Sequence, residues 1–224
     1  MHLSGEYHQH LGWEPGFCVI KRVIIMSSEN NKTIESYEVR SGEYIAATVQ
    51  EIKGPMKNWL DGSVEALPLE SQILEIGSGS GRDAEYLQSK GYSVQCSDAT
   101  QGFIDILKEK GLSPRTLNII TDEIEGEYDA IIANAVLLHL TDEETHHALR
   151  KVYDALKPSG RFSFSVKVGE GEAWTDGKLG LPRYFNYWNE ASLRALLESV
   201  QYQNVIIDTV GKLDDTWLMV RAYK

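Results

Sequence analysis

The sequence predicts an α/β chain built on a doubly wound, mainly parallel sheet. Three observations carry that expectation. From about residue 70 to 168, short apolar runs alternate with helical patterns that stop at glycine, as repeated strand–helix units do. The run Tyr128 to Ala133 is almost continuously apolar, which suits a strand buried on both faces. Ile73-Leu74-Glu75-Ile76 leads directly into Gly77-Ser78-Gly79-Ser80-Gly81-Arg82-Asp83: a strand, a glycine-rich turn and the start of a helix. Backbone that turns sharply and lets a ligand touch it favours glycine, because no Cβ obstructs the approach. The helix that follows aims its free N–H groups into the turn.

Composition sets the bounds. The 224 residues are enough for one sizeable domain. Hydrophobic residues make up 42% and charged residues 25%, ordinary for a globular protein. The net charge of −11 argues against nucleic acid as a partner, which needs a basic face. Cys18 and Cys96 are the only cysteines; they form no disulfide framework or metal cluster and suit a reducing cytoplasm. No apolar run approaches the roughly 20 residues of a membrane span, so no membrane partner and no metal are expected.

Residues 1–30 differ from the rest and read as an extension, with 31–224 as the working domain. His2, His8 and His10 match no metal-ligand spacing. The apolar piece Phe17 to Ile25 is interrupted by Lys21-Arg22 and lacks a small-residue cleavage site, so it fails as a signal peptide. Met26 precedes a polar run and is a plausible start; residues 1–25 are expected to be dispensable.

In order, residues 33 to 60 read as one helix ending before Asp61-Gly62, with Tyr37 and Tyr44 seven apart on one face. The helix after the glycine turn runs from Arg82 to Lys90 and stops at Gly91, with Asp83 and Glu85 in its first turn. A second strand, Tyr92 to Cys96, ends at Ser97-Asp98. A helix from Gln101 to Lys110 stops at Gly111, and a third strand is read at Thr116 to Ile120. After the fourth strand comes Asn134-Ala135-Val136-Leu137-Leu138-His139. Thr141 with Glu144 three on forms a capping box for a helix running through Leu156 to Lys157-Pro158. A strand at Arg161 to Val168 alternates Phe162, Phe164 and Val166 against Ser163, Ser165 and Lys167. A Gly-rich, aromatic stretch then precedes a helix from Asn189, and Asn204 to Val210 and Trp217 to Ala222 close the chain as strands.

The glycine spacing narrows the ligand. In the dinucleotide fingerprint the last glycine falls three residues after the second, here on Arg82; this chain places it at Gly81. No Gly-Lys-Ser/Thr follows, which excludes a P-loop. Asp98, about 20 residues on at the tip of the neighbouring strand, is placed to take a ribose diol. The ligand implied is a nucleoside held by its sugar hydroxyls.

These motifs resemble the class I S-adenosylmethionine-dependent methyltransferases. The matching stretches are Leu74 to Gly81, Ser97-Asp98-Ala99-Thr100, Tyr128 to Ala135 and Leu156-Lys157-Pro158-Ser159-Gly160-Arg161-Phe162, in register over most of 37 to 224. The resemblance implies a Rossmann-like, seven-stranded sheet closed by a C-terminal antiparallel hairpin. It implies S-adenosylmethionine as cofactor and S-adenosylhomocysteine as product. Carried over residue by residue, the cofactor-binding set is Tyr37, Glu75, Gly77, Ser78, Gly79, Asp98, Ala99, Thr121, Asp122 and Asn134. Residues 169–189 would be a lid over the acceptor, whose pocket would take Tyr44, His139, Lys167, Trp174, Arg183, Tyr184 and Tyr187.

His139 lies where an acceptor would meet the sulfonium, and a neutral imidazole there is a candidate base. There is no Asn-Pro-Pro-Tyr or Asp-Pro-Pro-Tyr and no Pro-Cys, which argues against adenine, glutamine and cytosine as acceptors; the resemblance implies a small-molecule acceptor. The expected assembly is a monomer or homodimer. Two alternatives stay open: a nicotinamide-dependent oxidoreductase, and a non-catalytic cofactor-binding module.

Overall fold

The structure is a computed structural model that describes residues 28–212 and 215–224. The extension at 1–25, with its three histidines and Cys18, lies outside the described residues.

The elements in order are α1 (Ser28–Ala46), α2 (Gly54–Val64), β1 (Ile73–Ile76), α3 (Arg82–Ser89), β2 (Val94–Asp98), α4 (Gln101–Glu109), β3 (Arg115–Thr116), β4 (Tyr128–Ala133), α5 (Asp142–Ala155), β5 (Leu156–Lys167), β6 (Glu172–Thr175), β7 (Arg183–Asn186), α6 (Glu190–Ser199), β8 (Gln203–Lys212) and β9 (Asp215–Tyr223). Seven strands form one sheet in the order β3-β2-β1-β4-β5-β9-β8, and β6 and β7 form a separate two-stranded sheet. The pairs from β3 to β5 are parallel, whereas β9 runs antiparallel to both β5 and β8. The expected seven-stranded sheet with its terminal hairpin is therefore present.

Alternation sorts side chains onto two faces. Leu74, Ile76, Ile131 and Phe162 join one core with Leu149 and Val152 of α5 and Leu193 of α6. Ile73, Ala130 and Ile132, one residue out of phase, join the other with Trp59 and Leu60 of α2 and Leu87 of α3. A strand's period of two makes that partition automatic once both faces are covered. Phe162 and Phe164 are fully buried and stacked 4.9 Å apart. Their alternates Ser163 and Ser165 are equally buried, because helices cover that face too.

Three local expectations are corrected. The single helix at 33–60 is two helices separated by residues 47–53. Thr48 donates its hydroxyl back to the Tyr44 carbonyl at 2.6 Å, and Pro55 starts α2 at its first turn, where its missing N–H costs nothing. That second helix runs through Gly62 to Val64 instead of ending before Asp61-Gly62; a Cβ on Gly62 would lie 2.1 Å from Arg221 Nη1, so this glycine serves close packing on β9. The strand at 116–120 shrinks to Arg115–Thr116. Side chains claim the backbone groups beyond it: Asn118 Oδ1 accepts from Ile120 N–H at 2.9 Å, and Asp122 Oδ2 from Asn118 N–H at 2.8 Å. The 169–189 stretch is built around the β6–β7 hairpin.

The parallel strand order reverses between β1 and β4. The carboxyl ends of β1, β2 and β4 open onto the crevice where ligands bind in such sheets.

Candidate active site

The glycine turn after β1 lies at that crevice. Gly77 has φ +71°, and a Cβ there would lie 2.3 Å from Val136 Cγ2, so the turn packs directly on the loop after β4. Gly79 has φ +52°, with nothing within 4 Å of an added Cβ. It lines the cleft, so the open space beside it is room that a side chain would fill. Ser78 faces elsewhere: its amide donates to Ser97 O at 2.8 Å, and its Oγ accepts from Ser97 N–H at 3.1 Å. It braces the turn against β2.

Asp98 at the tip of β2 is buried, yet both carboxylate oxygens are held. Oδ2 accepts from Gly79 N–H and Oδ1 from Thr100 N–H, each at 2.9 Å. Burial raises its pKa and these backbone bonds oppose the rise. A carboxylate oxygen has two lone-pair sites, so each keeps capacity for a further donor such as a ribose hydroxyl.

Glu75 lies beneath the turn, 3% exposed, with Oε2 lacking any hydrogen-bond partner. Burial first, then the nearby Asp83 carboxylate, push it up to about 8. Asp83 accepts from Arg82 Nε at 2.7 Å and from Asn134 Nδ2 at 2.6 Å. Asn134 Oδ1 in turn accepts from Ser165 Oγ at 2.6 Å. The turn thus sits on three carboxyl groups, Glu75, Asp83 and Asp98.

The cleft encloses about 680 Å³ including its mouth. Beyond Gly77, Gly79, Asp98 and Ala99, its walls include Phe103 of α4, Leu117, Asn118 and Ile119 after β3, and Thr33 and Tyr37 of α1. Asn118 and Ile119 stand at the wall where Thr121 and Asp122 were expected. Neither Thr121 nor Asp122 is among the lining residues; Asp122 instead spends its carboxylate on the Asn118 amide. Glu75, Ser78 and Asn134 lie behind the lining. Asn118 could have been found by noticing that Asx side chains end strands by taking backbone bonds. Thr33 carried no signal.

A second cavity, about 930 Å³ including its open mouth, adjoins the first, and the two share Tyr37, Tyr44, Ala135 and His139. Lys167, Arg183 and Tyr187 line it, together with Lys178, Phe185 and Trp217. Trp174 does not; it is exposed, with its ring edge-on to Tyr184 at 5.8 Å. Tyr184 is not among the lining residues either; its backbone holds His139 and Thr33 from behind. The roof is fastened to α1 by Ser36 Oγ donating to Pro182 O at 2.7 Å and Tyr184 N–H to Thr33 Oγ1 at 3.0 Å.

At the shared wall a hydrogen-bond chain fixes its own direction. His139 Nδ1 lies 2.6 Å from Tyr184 O. A carbonyl only accepts, so Nδ1 carries the proton. Nε2 must then accept from the Tyr37 hydroxyl at 2.9 Å. The Tyr37 oxygen in turn accepts from Arg183 Nη1 at 3.1 Å. Burial, with Arg183 adding to it, pulls His139 down to about 4, so the imidazole is neutral. Burial likewise raises Tyr37 and Tyr44 above the ordinary phenol range. Ala135, at φ +58°, is a non-glycine residue in the left-handed region where the two cavities meet.

Residues 74–162 match the model of a methyltransferase domain. A malonyl-[acyl-carrier protein] O-methyltransferase of Priestia megaterium is 34% identical over 103 residues, 43% of this chain and 37% of that protein. An uncharacterized methyltransferase of Oceanobacillus iheyensis is 25% identical over 145 residues, 63% of this chain and 65% of that protein. The chain thus spans between about a third and two thirds of these relatives' lengths. The crystal structure of Burkholderia thailandensis 1,6-didemethyltoxoflavin-N1-methyltransferase, with 1,6-didemethyltoxoflavin and S-adenosylhomocysteine bound, superposes with a TM-score of 0.68 at 20% identity, covering 89% of this chain and 91% of that one. Residues 74–162 thus resemble a methyltransferase domain, and the chain shares the fold of this S-adenosylhomocysteine-bound methyltransferase.

Proposed function

We propose that this methyltransferase domain moves the methyl group of S-adenosylmethionine onto a small molecule held in the second cavity. The observation that carries the reading is the pairing of two adjoining cavities across Tyr37, Tyr44, Ala135 and His139, the first floored by the glycine turn and Asp98. The residues fit the cofactor. Asp98 would take the ribose hydroxyls, and the space beside Gly79 would admit the methionine end. Ala99, Phe103 and Asn118 offer a half-apolar slot for the base.

When bound, the cofactor supplies a carbon already activated by its sulfonium. The protein's task is then to position the partners and exclude water. Tyr37 and Tyr44, edge-on at 5.1 Å, would form the wall between donor and acceptor. His139 would serve as a base only with Nε2 free, and Nε2 already accepts from Tyr37. We therefore assign His139 to positioning: it orients the Tyr37 hydroxyl. The acceptor atom would attack without protein-assisted deprotonation.

A nicotinamide cofactor is the poorer fit. The usual dinucleotide sheet continues with a sixth strand beside the fifth, whereas here antiparallel β9 stands beside β5. The test is calorimetric titration of S-adenosylhomocysteine, and separately NADH, into the chain and its Asp98→Ala variant. Two lost charge-assisted hydrogen bonds, each about 1.5–3 kcal/mol, predict at least a roughly hundredfold weaker S-adenosylhomocysteine affinity in the variant. Binding of NADH alone would overturn the reading.

A further inference from the structure

We propose that the acceptor is an organic anion, a carboxylate or phosphoryl group on an apolar and at least partly aromatic body, and that Arg183 is the residue that clamps the anion. The inference rests on the methyltransferase reading of the cleft and specifies its second cavity. The chain is strongly acidic, at −11 overall, yet three cationic side chains, Lys167, Lys178 and Arg183, line this one cavity. Asp215 is the only carboxylate among its lining residues, and it pairs with Lys167 at 3.2 Å while standing mostly in solvent. The cavity therefore holds an excess of two positive charges.

Arg183 is 6% exposed. Among the described residues no carboxylate reaches it within ion-pair distance. Its guanidinium lies over the Tyr37 and Phe185 rings at 5.6 and 5.1 Å, Nη1 donates to Tyr37 OH, and Nε is buried with no acceptor. A charge held out of water without a counter-ion is costly, and folds keep one where something else repays it. The guanidinium fork matches planar and tetrahedral oxyanions. Lys178, at the rim, has no carboxylate partner either; it donates to Thr48 Oγ1 at 2.8 Å and lies 3.9 Å over the Tyr44 ring. Burial and the field of Arg183 lower its pKa, the response expected of a cation facing uncompensated positive charge. The remaining walls include Leu138, Phe185, Tyr187 and Trp217, which suit the apolar body.

The test uses the full chain loaded with S-adenosylhomocysteine, and reads binding of benzoate, phenylphosphonate, inorganic phosphate and neutral benzamide by saturation-transfer NMR. The expected result is that benzoate or phenylphosphonate binds at least about tenfold tighter than benzamide, with their ratio telling carboxylate from phosphoryl. Arg183→Gln is expected to remove that preference, a loss of roughly tenfold to hundredfold for a charge-assisted pair. Lys178→Gln is expected to reduce it severalfold. Retained S-adenosylhomocysteine binding shows that a variant is folded; if Arg183→Gln does not bind it, the rim variant Lys178→Gln decides. Benzamide binding as tightly as benzoate, no anion binding at millimolar concentration, or an unchanged preference in the folded variants overturns the proposal. Inorganic phosphate binding as tightly as phenylphosphonate overturns its apolar-body half. If the wild-type chain fails to bind S-adenosylhomocysteine, the methyltransferase reading falls, and the same anion series on the unliganded chain still reads the clamp separately.

Discussion

His139→Asn tests how the site is wired. In the folded chain His139 is pulled from the ordinary 6.5 to about 4 by burial, reinforced by Arg183. Between those values the unfolded chain holds a proton that the folded chain does not, so acid favours unfolding. The stability is present above about pH 6.5 and is lost as pH falls through about 4. At about 1.4 kcal/mol per pH unit the whole gap is worth about 3 kcal/mol, of which about 2 kcal/mol falls between about pH 7 and about pH 5. Wild type alone hides this, because Glu75, pushed up to about 8, runs the other way: its folded carboxyl keeps a proton that the unfolded chain releases, and so it favours the folded state as pH falls. Comparing wild type with variant cancels that contribution. The assay is urea denaturation of both at about pH 7 and about pH 5. At the higher pH the variant is expected to be less stable by about 1–3 kcal/mol, from the bonds to Tyr37 and Tyr184 O that Asn cannot fully replace. At the lower pH that deficit should shrink by about 2 kcal/mol, some 4–8 °C in Tm for a chain of this size. An equal deficit at both pH values would refute a neutral His139, and with it the direction of the Arg183–Tyr37–His139 chain.

Two further substitutions probe the frame. Gly77→Ala places a Cβ 2.3 Å from Val136 Cγ2 in a left-handed backbone and should displace the loop after β4, weakening S-adenosylhomocysteine more than tenfold and costing at least about 1–2 kcal/mol of stability. Gly79→Ala meets no protein atom within 4 Å, so by contrast it should cost only about 1 kcal/mol in denaturation while still weakening the ligand; equal destabilisation by both would show that the turn does not pack as described. Phe164→Ala empties a fully buried site stacked on Phe162 and should cost about 3–5 kcal/mol in urea denaturation with an unchanged m-value.

The local parts of the site were legible because they are written locally. A strand that ends on Glu75 and turns through three glycines, and an acid at Asp98 on the next strand, follow from short-range backbone geometry. Gly79, Asp98 and Ala99 indeed line the cleft. The apolar run Tyr128–Ala133 and the Thr141–Glu144 capping box are likewise contiguous patterns, and both appear where expected. The break in the first helix was harder to read, since Tyr37 to Leu60 keeps a helical tone that Thr48 and the Gly54-Pro55 pair interrupt.

The sequence by itself determined the doubly wound sheet, the glycine turn and the acid that faces it, because strand period, glycine freedom and capping act over a few residues. Tertiary structure alone decided which residues meet across the chain. Tyr37, His139 and Arg183 are separated by 102 residues in one pairing and 146 in the other, so no local pattern could bring them together. It also decided that Asp122 serves the Asn118 backbone N–H while Asn118 lines the cleft, and that a hairpin hidden in a Gly-rich stretch carries Arg183 into a cavity where, among the described residues, no carboxylate pairs with it. Burial, hydrogen-bond direction and charge compensation are properties of neighbours in space, and those neighbours exist only after the sheet has been wound.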